Sequence, residues 1–325
     1  MNRHCLFSII IPVFNGKKYI YKSLDSIYSQ NLDKDLFEVI CIDDHSTEIG
    51  CYEHMLSYTY KGKHPGNLRI FQNETNKKAG GARNVGINFS TGKWVVFLDC
   101  DDIFLEGSLI ELTSLFEVNS NLDILIYNYK STLSESGISN LSKCLMTGWD
   151  FIKTQPVPWF ACCYSYQRDF LLKNRIFFVE NVFYEDTDFA FRAILKAKAI
   201  QFFDLKVFFY LISDFQASKV NTKAKIVDMF YLTQRLLDIC NELEQTNVEI
   251  RNAILNHYNY KYNVNLKRYL WHFPYDTIKA VLKKFPPSIN DKSTTLVRIT
   301  SQSPCFYAAF AVILRPFFNL YLKYK

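Results

Sequence analysis

Short runs of apolar, mostly β-branched or aromatic residues alternate with stretches of helical spacing through the first half of the chain. Phe7–Val13, Phe37–Ile42, Leu68–Phe71, Trp94–Leu98 and Asp123–Tyr129 read as strands. Between them, Lys18–Gln30 carries Ile20, Leu24 and Ile27 on one helical face, and Glu48–Tyr60, Ala82–Phe89 and Glu106–Val118 also read as helices. Such alternation predicts an α/β fold, a mainly parallel sheet flanked by helices on both faces. Ligands of these sheets bind beyond the carboxyl ends of the strands. After Ser213 the pattern turns helical. Thr222–Glu244 lines up Ile226, Met229, Phe230, Leu236, Leu237 and Cys240, with Thr233 interrupting the stripe, and Asn247–Phe273 forms a second helical stretch. Pro274, the Pro286–Pro287 pair and Pro304 punctuate the remainder. The expected organisation is a domain over residues 1–215 and a helical extension over 216–325.

Charge sharpens that division. Residues 1–215 hold 22 Lys and Arg against 25 Asp and Glu, whereas 216–325 hold 16 against 7. A basic, aromatic extension is either a solvated helical face or the mark of an anionic partner, a membrane surface before nucleic acid, because no nucleic-acid module is recognisable. The nine cysteines form no CxxC pair and no Cys/His ligand spacing. Their odd number and apolar surroundings suit a reducing compartment. No stretch has the length and purity of a spanning helix, and Leu6–Val13 reads as a buried strand rather than a signal segment. The expected location is cytoplasmic, peripheral on the inner face of a membrane through 304–325. The apolar, aromatic run Phe306–Leu322 is either an interfacial segment or a terminal helix docked on the core.

The polar groups just past the strands carry the chemistry. Pro12-Val13-Phe14-Asn15-Gly16 follows the first strand, Asp43-Asp44-His45-Ser46-Thr47 the second, and Asp99-Cys100-Asp101-Asp102 the fourth. In extended chain, residues i and i+2 project to one side, so Asp99 and Asp101 can face one hard cation such as Mg²⁺ or Mn²⁺. Read blandly, the acidic run is a helix cap, with Asp102 in that role. Asn76–Asn84 brings a glycine pair, Gly80-Gly81, before a helix, and is either a plain loop with a helix start or a ligand approach with Arg83 in reach of phosphate or carboxylate. Glu185-Asp186 before a helical run is either cap and first-turn charge or a general base. There is no GxGxxG after the first strand and no GxxxxGK[ST], which removes the dinucleotide and common NTPase readings.

Together these segments resemble family 2 glycosyltransferases of the GT-A fold. Ser8–Asn15 resembles the family's opening strand and its P-x-[YF]-N turn, and Leu24–Gln30 its first helix. Asp43–Thr47 resembles the nucleoside-contacting DDxST segment, Gly81–Ile87 the ARNxG helix, Phe97–Asp102 the FLDxDD metal segment, and Glu185–Phe189 the ED motif. The resemblance covers residues 7 to 218 in order. It implies an inverting transferase acting on a nucleotide diphosphate sugar, most often a UDP-sugar, with a saccharide or lipid-linked saccharide acceptor in cell-surface polysaccharide, lipopolysaccharide or capsule assembly. By the same resemblance Asp43 holds the base of the nucleotide with Pro12, Phe14, Asn15 and Asp44 nearby. Arg83 sits at the nucleotide, Asp99 and Asp101 position metal and diphosphate, and Asp186 is the general base with Glu185 as the alternative.

Three departures stand out. Lys78 and His45 replace common glycines, and Lys78 offers a phosphate contact. The arginine often found after the aromatic pair near Phe209-Tyr210 is absent, with Lys219 as its substitute. Trp149, Trp159 and Phe160 either stack on an acceptor sugar or belong to the core. The competing readings are a sugar nucleotidyltransferase, which wants a Gly-rich basic loop where Pro12–Gly16 stands, and a degenerate member that binds nucleotide or membrane without turnover.

Overall fold

Phe7–Val13 forms β1, buried along its whole length. Only a central strand covered on both faces accepts so apolar a sequence. β1 pairs in parallel with β2 (Phe37–Asp43) on one side and β4 (Trp94–Phe97) on the other, and β3 (Leu68–Gln72) pairs in parallel outside β2. The connections are α1 (Ile20–Tyr28), α2 (Cys51–Leu56) and α3 (Lys78–Phe89). The computed structural model describes residues 5–132, 138, 141–157, 160–211, 222–243, 247–270, 273–288 and 293–312. It divides into two units, Met1–Asp214 and Phe215–Lys325. Lys219, Trp159 and residues 313–325 lie outside the described residues.

Beyond β4 the sheet becomes mixed. β5 (Ile103–Phe104), α4 (Ser108–Val118), β6 (Ile124–Ser131), α5 (Gly148–Thr154), β7 (Tyr164–Gln167), α6 (Arg168–Lys173), α7 (Asp186–Lys196) and β8 (Ile200–Tyr210) complete the unit. The strand order is β3-β2-β1-β4-β7-β6-β8-β5. β7 runs antiparallel between β4 and β6, and β5 antiparallel on β8, while β6 and β8 are parallel. The α/β sheet with flanking helices stands as expected, with the continuous parallel part running from β3 to β4 and one further parallel pair, β6 with β8, in the mixed half. β5, β7 and β8 were not read as strands from the sequence: β7 and β5 are four and two residues long, too short for a period to register, whereas the eleven-residue β8 was simply missed.

Two further differences have local causes. Asp102 caps no helix: α4 begins at Ser108 after a left-handed Gly107, and Asp102 is buried immediately before β5 instead. The Asn247–Phe273 stretch is α9 (Val248–Val264) followed by a wider turn over Asn265–Tyr269.

α3 has poor helix composition, with three glycines in its twelve residues, and packing explains two of them. A Cβ on Gly86 would run into the Ile10 side chain of β1, so the helix lies on the sheet only where no side chain intervenes. A Cβ on Gly80 would stand 2.8 Å from the Val179 carbonyl oxygen and 2.9 Å from the Glu185 Cγ. α3 thus contacts both the sheet and the 178–185 segment at backbone range.

In the second unit, α8 (Lys223–Glu242) is capped by Thr222, whose side chain accepts the Lys225 N–H. α9, α10 (Tyr275–Lys284), α11 (Thr295–Gln302) and a helical run over 304–312 follow. The polar interruption at Thr233 is resolved in the core. Its hydroxyl donates to the Met229 carbonyl (2.8 Å) and accepts from Asn265 Nδ2 (3.0 Å). The 304–312 run docks through Tyr307, Ala308 and Ala311, with the Tyr307 hydroxyl on the Leu266 carbonyl (2.9 Å). Its other side leaves Phe306 and Phe310 exposed and stacked. No described helix is long and apolar enough to cross a membrane.

Gly86→Ala is expected to destabilise the protein by about 1–3 kcal/mol, because the added methyl meets the branched side chain of a central strand. Denaturant unfolding measures this, and an unchanged midpoint would contradict the packing described.

Candidate active site

The carboxyl ends of β1, β2 and β4 lie side by side, and three polar segments leave the sheet there. The first two are sewn together by Asn15. Its Oδ1 accepts the backbone N–H groups of Thr47 (2.8 Å) and Glu48 (2.9 Å), and its own N–H donates to Ser46 Oγ (2.8 Å). Asn15 is therefore a brace between the two loops. Pro12 is buried inside β1 opposite Ile42, while Phe14 is 47% exposed beside this brace. Asp43 is fully buried. It accepts Gln72 Nε2 at 2.8 Å and the Ser46 N–H at 3.3 Å. Asp44 organises the approach to α3, accepting Asn73 Nδ2 (2.7 Å) and the Lys77 N–H (3.0 Å). Burial raises the Asp44 carboxyl above its ordinary value, against the Lys77 and Asn73 hydrogen bonds.

Strain collects around these loops. Asn15, His45, Lys78 and Tyr184 have φ of 54°, 57°, 59° and 63°, a region that costs an L-residue about 1–2 kcal/mol. His45 and Lys78 are the two positions where the family resemblance expects glycine, and both adopt the backbone that glycine takes freely. Lys78 is held there by its N–H on Asn76 Oδ1 (3.1 Å) and its ammonium 3.8 Å from the Phe183 ring centre.

Arg83 gathers the acidic groups. The side chain is 3% exposed and projects from α3. Nη2 donates to Asp99 Oδ1 (2.7 Å), and Nη1 donates to Glu185 Oε1 (2.6 Å) and Asp186 Oδ1 (3.2 Å). The next residue, Asn84, clamps the same segment: its Oδ1 accepts the Phe178 N–H (2.8 Å) and its Nδ2 donates to the Phe178 carbonyl (3.0 Å). Glu185 and Asp186 are thus partners of Arg83, and no side-chain cap is made at the start of α7. Burial pushes the Glu185 carboxyl up, Asp186 adds to the rise, and Arg83 opposes it.

The two acids of this pair differ in access. The Glu185 side chain is 7% exposed and that of Asp186 22%, and it is Asp186 that lines the adjoining pocket. Asp186 Oδ2 also accepts the Ala161 N–H at 3.2 Å. Asp188, two residues on, is fully buried against Arg192 (2.7 Å) and shapes the helix.

Asp99 lines the same pocket and Asp101 is half-buried beside it. Asp102 Oδ1 accepts the Leu211 N–H (2.9 Å), whereas its Oδ2 is buried with no hydrogen-bond partner. Burial, with Asp99 adding to it, holds the Asp102 carboxyl well above the usual range. No group of three or more His, Cys, Asp or Glu among the described residues forms a metal cage. β4 ends at Phe97, and Cys100 and Asp101 form a turn, so the extended-chain alternation expected to align Asp99 and Asp101 does not apply. What remains is two carboxylates past one strand end, a donor set that suits a divalent cation completed by substrate phosphates. Trp149 lies exposed on α5, away from the pocket lining, whereas Phe160 is part of it. The sequence reading missed Asn84 as a clamp and Tyr129, Phe208 and Tyr210 as pocket walls. Their position at strand ends was the available signal for the three aromatics.

The sequence pattern of glycosyl transferase family 2 matches residues 8–179. The chain is 28% identical over 206 residues to the poly(ribitol-phosphate) beta-N-acetylglucosaminyltransferase TarS of Staphylococcus aureus (strain MW2), covering 63% of this chain and 35% of that protein. It is 29% identical over 181 residues to the minor teichoic acid biosynthesis protein GgaB of Bacillus subtilis (strain 168), covering 54% and 19%. The chain thus spans about a third or less of the length of these relatives. In structure it is similar to S. aureus TarS 1–349 in complex with UDP-GlcNAc, with a TM-score of 0.72 at 21% identity over 96% of this chain and 91% of that one. It is also similar to the mannosyltransferase PcManGT of Pyrobaculum calidifontis in complex with GDP-Man and Mn²⁺ (TM-score 0.56, 14% identity, 95% and 86% covered). These likenesses give the fold, that of the GT-A glycosyltransferases. The matched pattern runs from β1 to the segment clamped by Asn84 and takes in Asp43 at the end of β2, Arg83 on α3 and Asp99 past β4, so the chain belongs to glycosyl transferase family 2.

Proposed function

We propose that this chain transfers a sugar from a nucleotide diphosphate donor, a UDP-sugar, to an acceptor hydroxyl with inversion at the anomeric carbon. The observation that carries the reading is Arg83, which bonds Asp99 of the donor-side loop and Asp186 of the base segment with one guanidinium. Two carboxylates with separate tasks are thereby held at one pocket, and preorganised geometry of this kind supplies much of the catalytic advantage. TarS, by name a poly(ribitol-phosphate) N-acetylglucosaminyltransferase, and GgaB, by name a teichoic acid biosynthesis protein, favour cell-surface polysaccharide assembly as the process, with a saccharide or lipid-linked saccharide as acceptor.

In this reading Asp186 takes the proton of the acceptor hydroxyl while that oxygen attacks the anomeric carbon and the bond to the diphosphate breaks. Arg83 on Oδ1 and the Ala161 N–H on Oδ2 fix the plane of the carboxylate. Asp99 and Asp101 would hold Mn²⁺ or Mg²⁺, which when bound neutralises charge on the diphosphate leaving group. Asp43 and the exposed Phe14 ring border the nucleoside end. A nucleotidyltransferase is disfavoured because the β1 exit is braced by Asn15 and has a single glycine, Gly16, before α1, where that reading wants a Gly-rich basic loop.

The basic second unit and the outward Phe306 and Phe310 rings support peripheral attachment to an anionic membrane surface, with a cytoplasmic location. Phe306→Ser/Phe310→Ser should reduce flotation with vesicles containing phosphatidylglycerol. Flotation equal to that of the unchanged protein would sink the attachment.

Calorimetric titration with nucleoside diphosphates should show UDP binding in Mn²⁺ or Mg²⁺ and its loss in EDTA, with Asp101→Ala weakening the metal-dependent part by about tenfold or more. Absence of binding to every nucleotide by folded protein would overturn the donor assignment. Asp186→Asn should keep donor binding and lower kcat by about 10²–10⁴. Normal turnover in that variant would move the base elsewhere.

A further inference from the structure

The segment that ends in the Glu185–Asp186 pair is fastened to the start of α3 by more than Arg83 and Asn84. The Lys77 carbonyl accepts the Asn181 N–H (3.0 Å), and the Lys77 ammonium lies 3.6 Å from Glu180. The Lys77 N–H in turn donates to Asp44, just past β2, at 3.0 Å. One short turn therefore joins the nucleoside side of the site to the segment that carries the base. Lys78, the next residue, sets its ammonium 3.8 Å from the centre of the Phe183 ring, well inside the roughly 6 Å over which a cation is drawn to an aromatic face. Phe183 is followed by Tyr184, whose φ is 63°, and then by Glu185 and Asp186. Lys78 itself has φ 59° at a position where the family resemblance expects glycine. A Cβ is disfavoured in that conformation and glycine is not. The position gives up an easy turn for a side chain, and that side chain lies on Phe183.

We propose that Lys78 is a positioning residue for the base: its ammonium, seated on Phe183, holds the chain entering Asp186 in the course that turns this carboxylate to the pocket. The inference rests on the transferase reading above and adds to it a residue that acts through Asp186 rather than on the donor. Tyr184 lies between two fixed points. Downstream, Arg83 holds Glu185 and Asp186; upstream, Lys78 holds Phe183. Backbone in a sparsely populated region persists where its surroundings over-determine it. With the upstream hold removed, Tyr184 can relax towards an ordinary φ and swing the residues that follow. A misplacement of about 1 Å at a reacting group costs up to about 10²-fold in rate. A contact with the donor phosphates would instead be felt in donor affinity. Glycine at position 78 separates the two duties of the residue, because it makes the turn without strain and carries no ammonium.

The test uses the full chain with UDP-glucose, UDP-galactose and UDP-N-acetylglucosamine as donors, Mn²⁺ present and water as the acceptor. UDP release at saturating donor gives kcat, calorimetry gives the Kd for UDP, and denaturant unfolding gives stability. Lys78→Gly should lower kcat by about tenfold while the Kd for UDP and the donor KM stay where they were. Its unfolding midpoint should be unchanged or higher, since the strain at position 78 is relieved. Lys78→Arg, which keeps a cation over the ring, should recover most of the turnover. Phe183→Leu should reproduce the loss, and adding it to Lys78→Gly should cost nothing further. Three results would each overturn the inference and leave the transferase reading standing: a Lys78→Gly variant that binds UDP more weakly but keeps kcat, one that changes neither quantity, or losses at 78 and 183 that multiply. Failure of the unaltered protein to release UDP from any donor overturns both.

Discussion

A guanidinium withdrawn from water and surrounded by three carboxylates is the constraint around which the first unit is organised. Arg83 cannot shed its charge, and in a buried position it needs acidic partners close by. Those partners arrive from two places distant in sequence, Asp99 from the end of β4 and the Glu185–Asp186 pair from the start of α7. Breaking a buried pair of this kind costs about 3–5 kcal/mol, so the loop and the helix start are bound to α3 by more than packing. The arrangement also separates the two acids of the pair. Glu185, the more buried, is held up by desolvation and completes the cluster, while Asp186 keeps access to the pocket.

The helix that carries Arg83 is fitted to this task on every side. Glycines at 80 and 86 remove side chains where the backbone must approach the 178–185 segment and the sheet. Asn84 spends both ends of its amide on Phe178. The Phe178 ring stacks on Phe189 at 3.7 Å, and its centre lies 5.3 Å from the Arg83 guanidinium carbon. Intrinsic helix propensity is sacrificed along α3, and the contacts on its faces compensate.

Much of this was readable in the chain. The strands β1, β2, β3, β4 and β6 announced themselves as apolar runs, and the Asp99, Arg83 and Glu185–Asp186 segments stood out because strand ends and helix starts are where an α/β sheet places its chemistry. What stayed hidden was non-local. Nothing near Asp102 shows that its partner is the N–H of Leu211, and a buried carboxyl at the foot of a loop looks the same as a helix cap until the fold closes. β5 and β7 are defined by what they pair with rather than by a pattern of their own. His45 and Lys78 were visible as substitutions for glycine, but only the backbone shows that they inherit glycine's left-handed conformation. Thr233 looked like a flaw in an apolar stripe, and it is half of a buried hydrogen-bonded pair with Asn265.

The pairing of β5 with β8 fixes the order in which the site can come into being. Ile103 and Phe104 stand in register with Phe209 and Phe208, and Asp102 closes on Leu211, 109 residues further along. On the ribosome the acidic loop therefore emerges long before the strand that will hold it. Until β8 is made, the carboxylates of residues 99–102 lack their last backbone donor, and until the start of α7 is made, Arg83 lacks two of its three acids. Long loop closures of this sort come late because the entropy of joining the ends precedes any contact that repays it. A nascent chain stalled anywhere before β8 would have its parallel half-sheet and no working pocket. Competence is acquired at the close of the unit's synthesis, when one short strand pair ties the beginning of the site to its end.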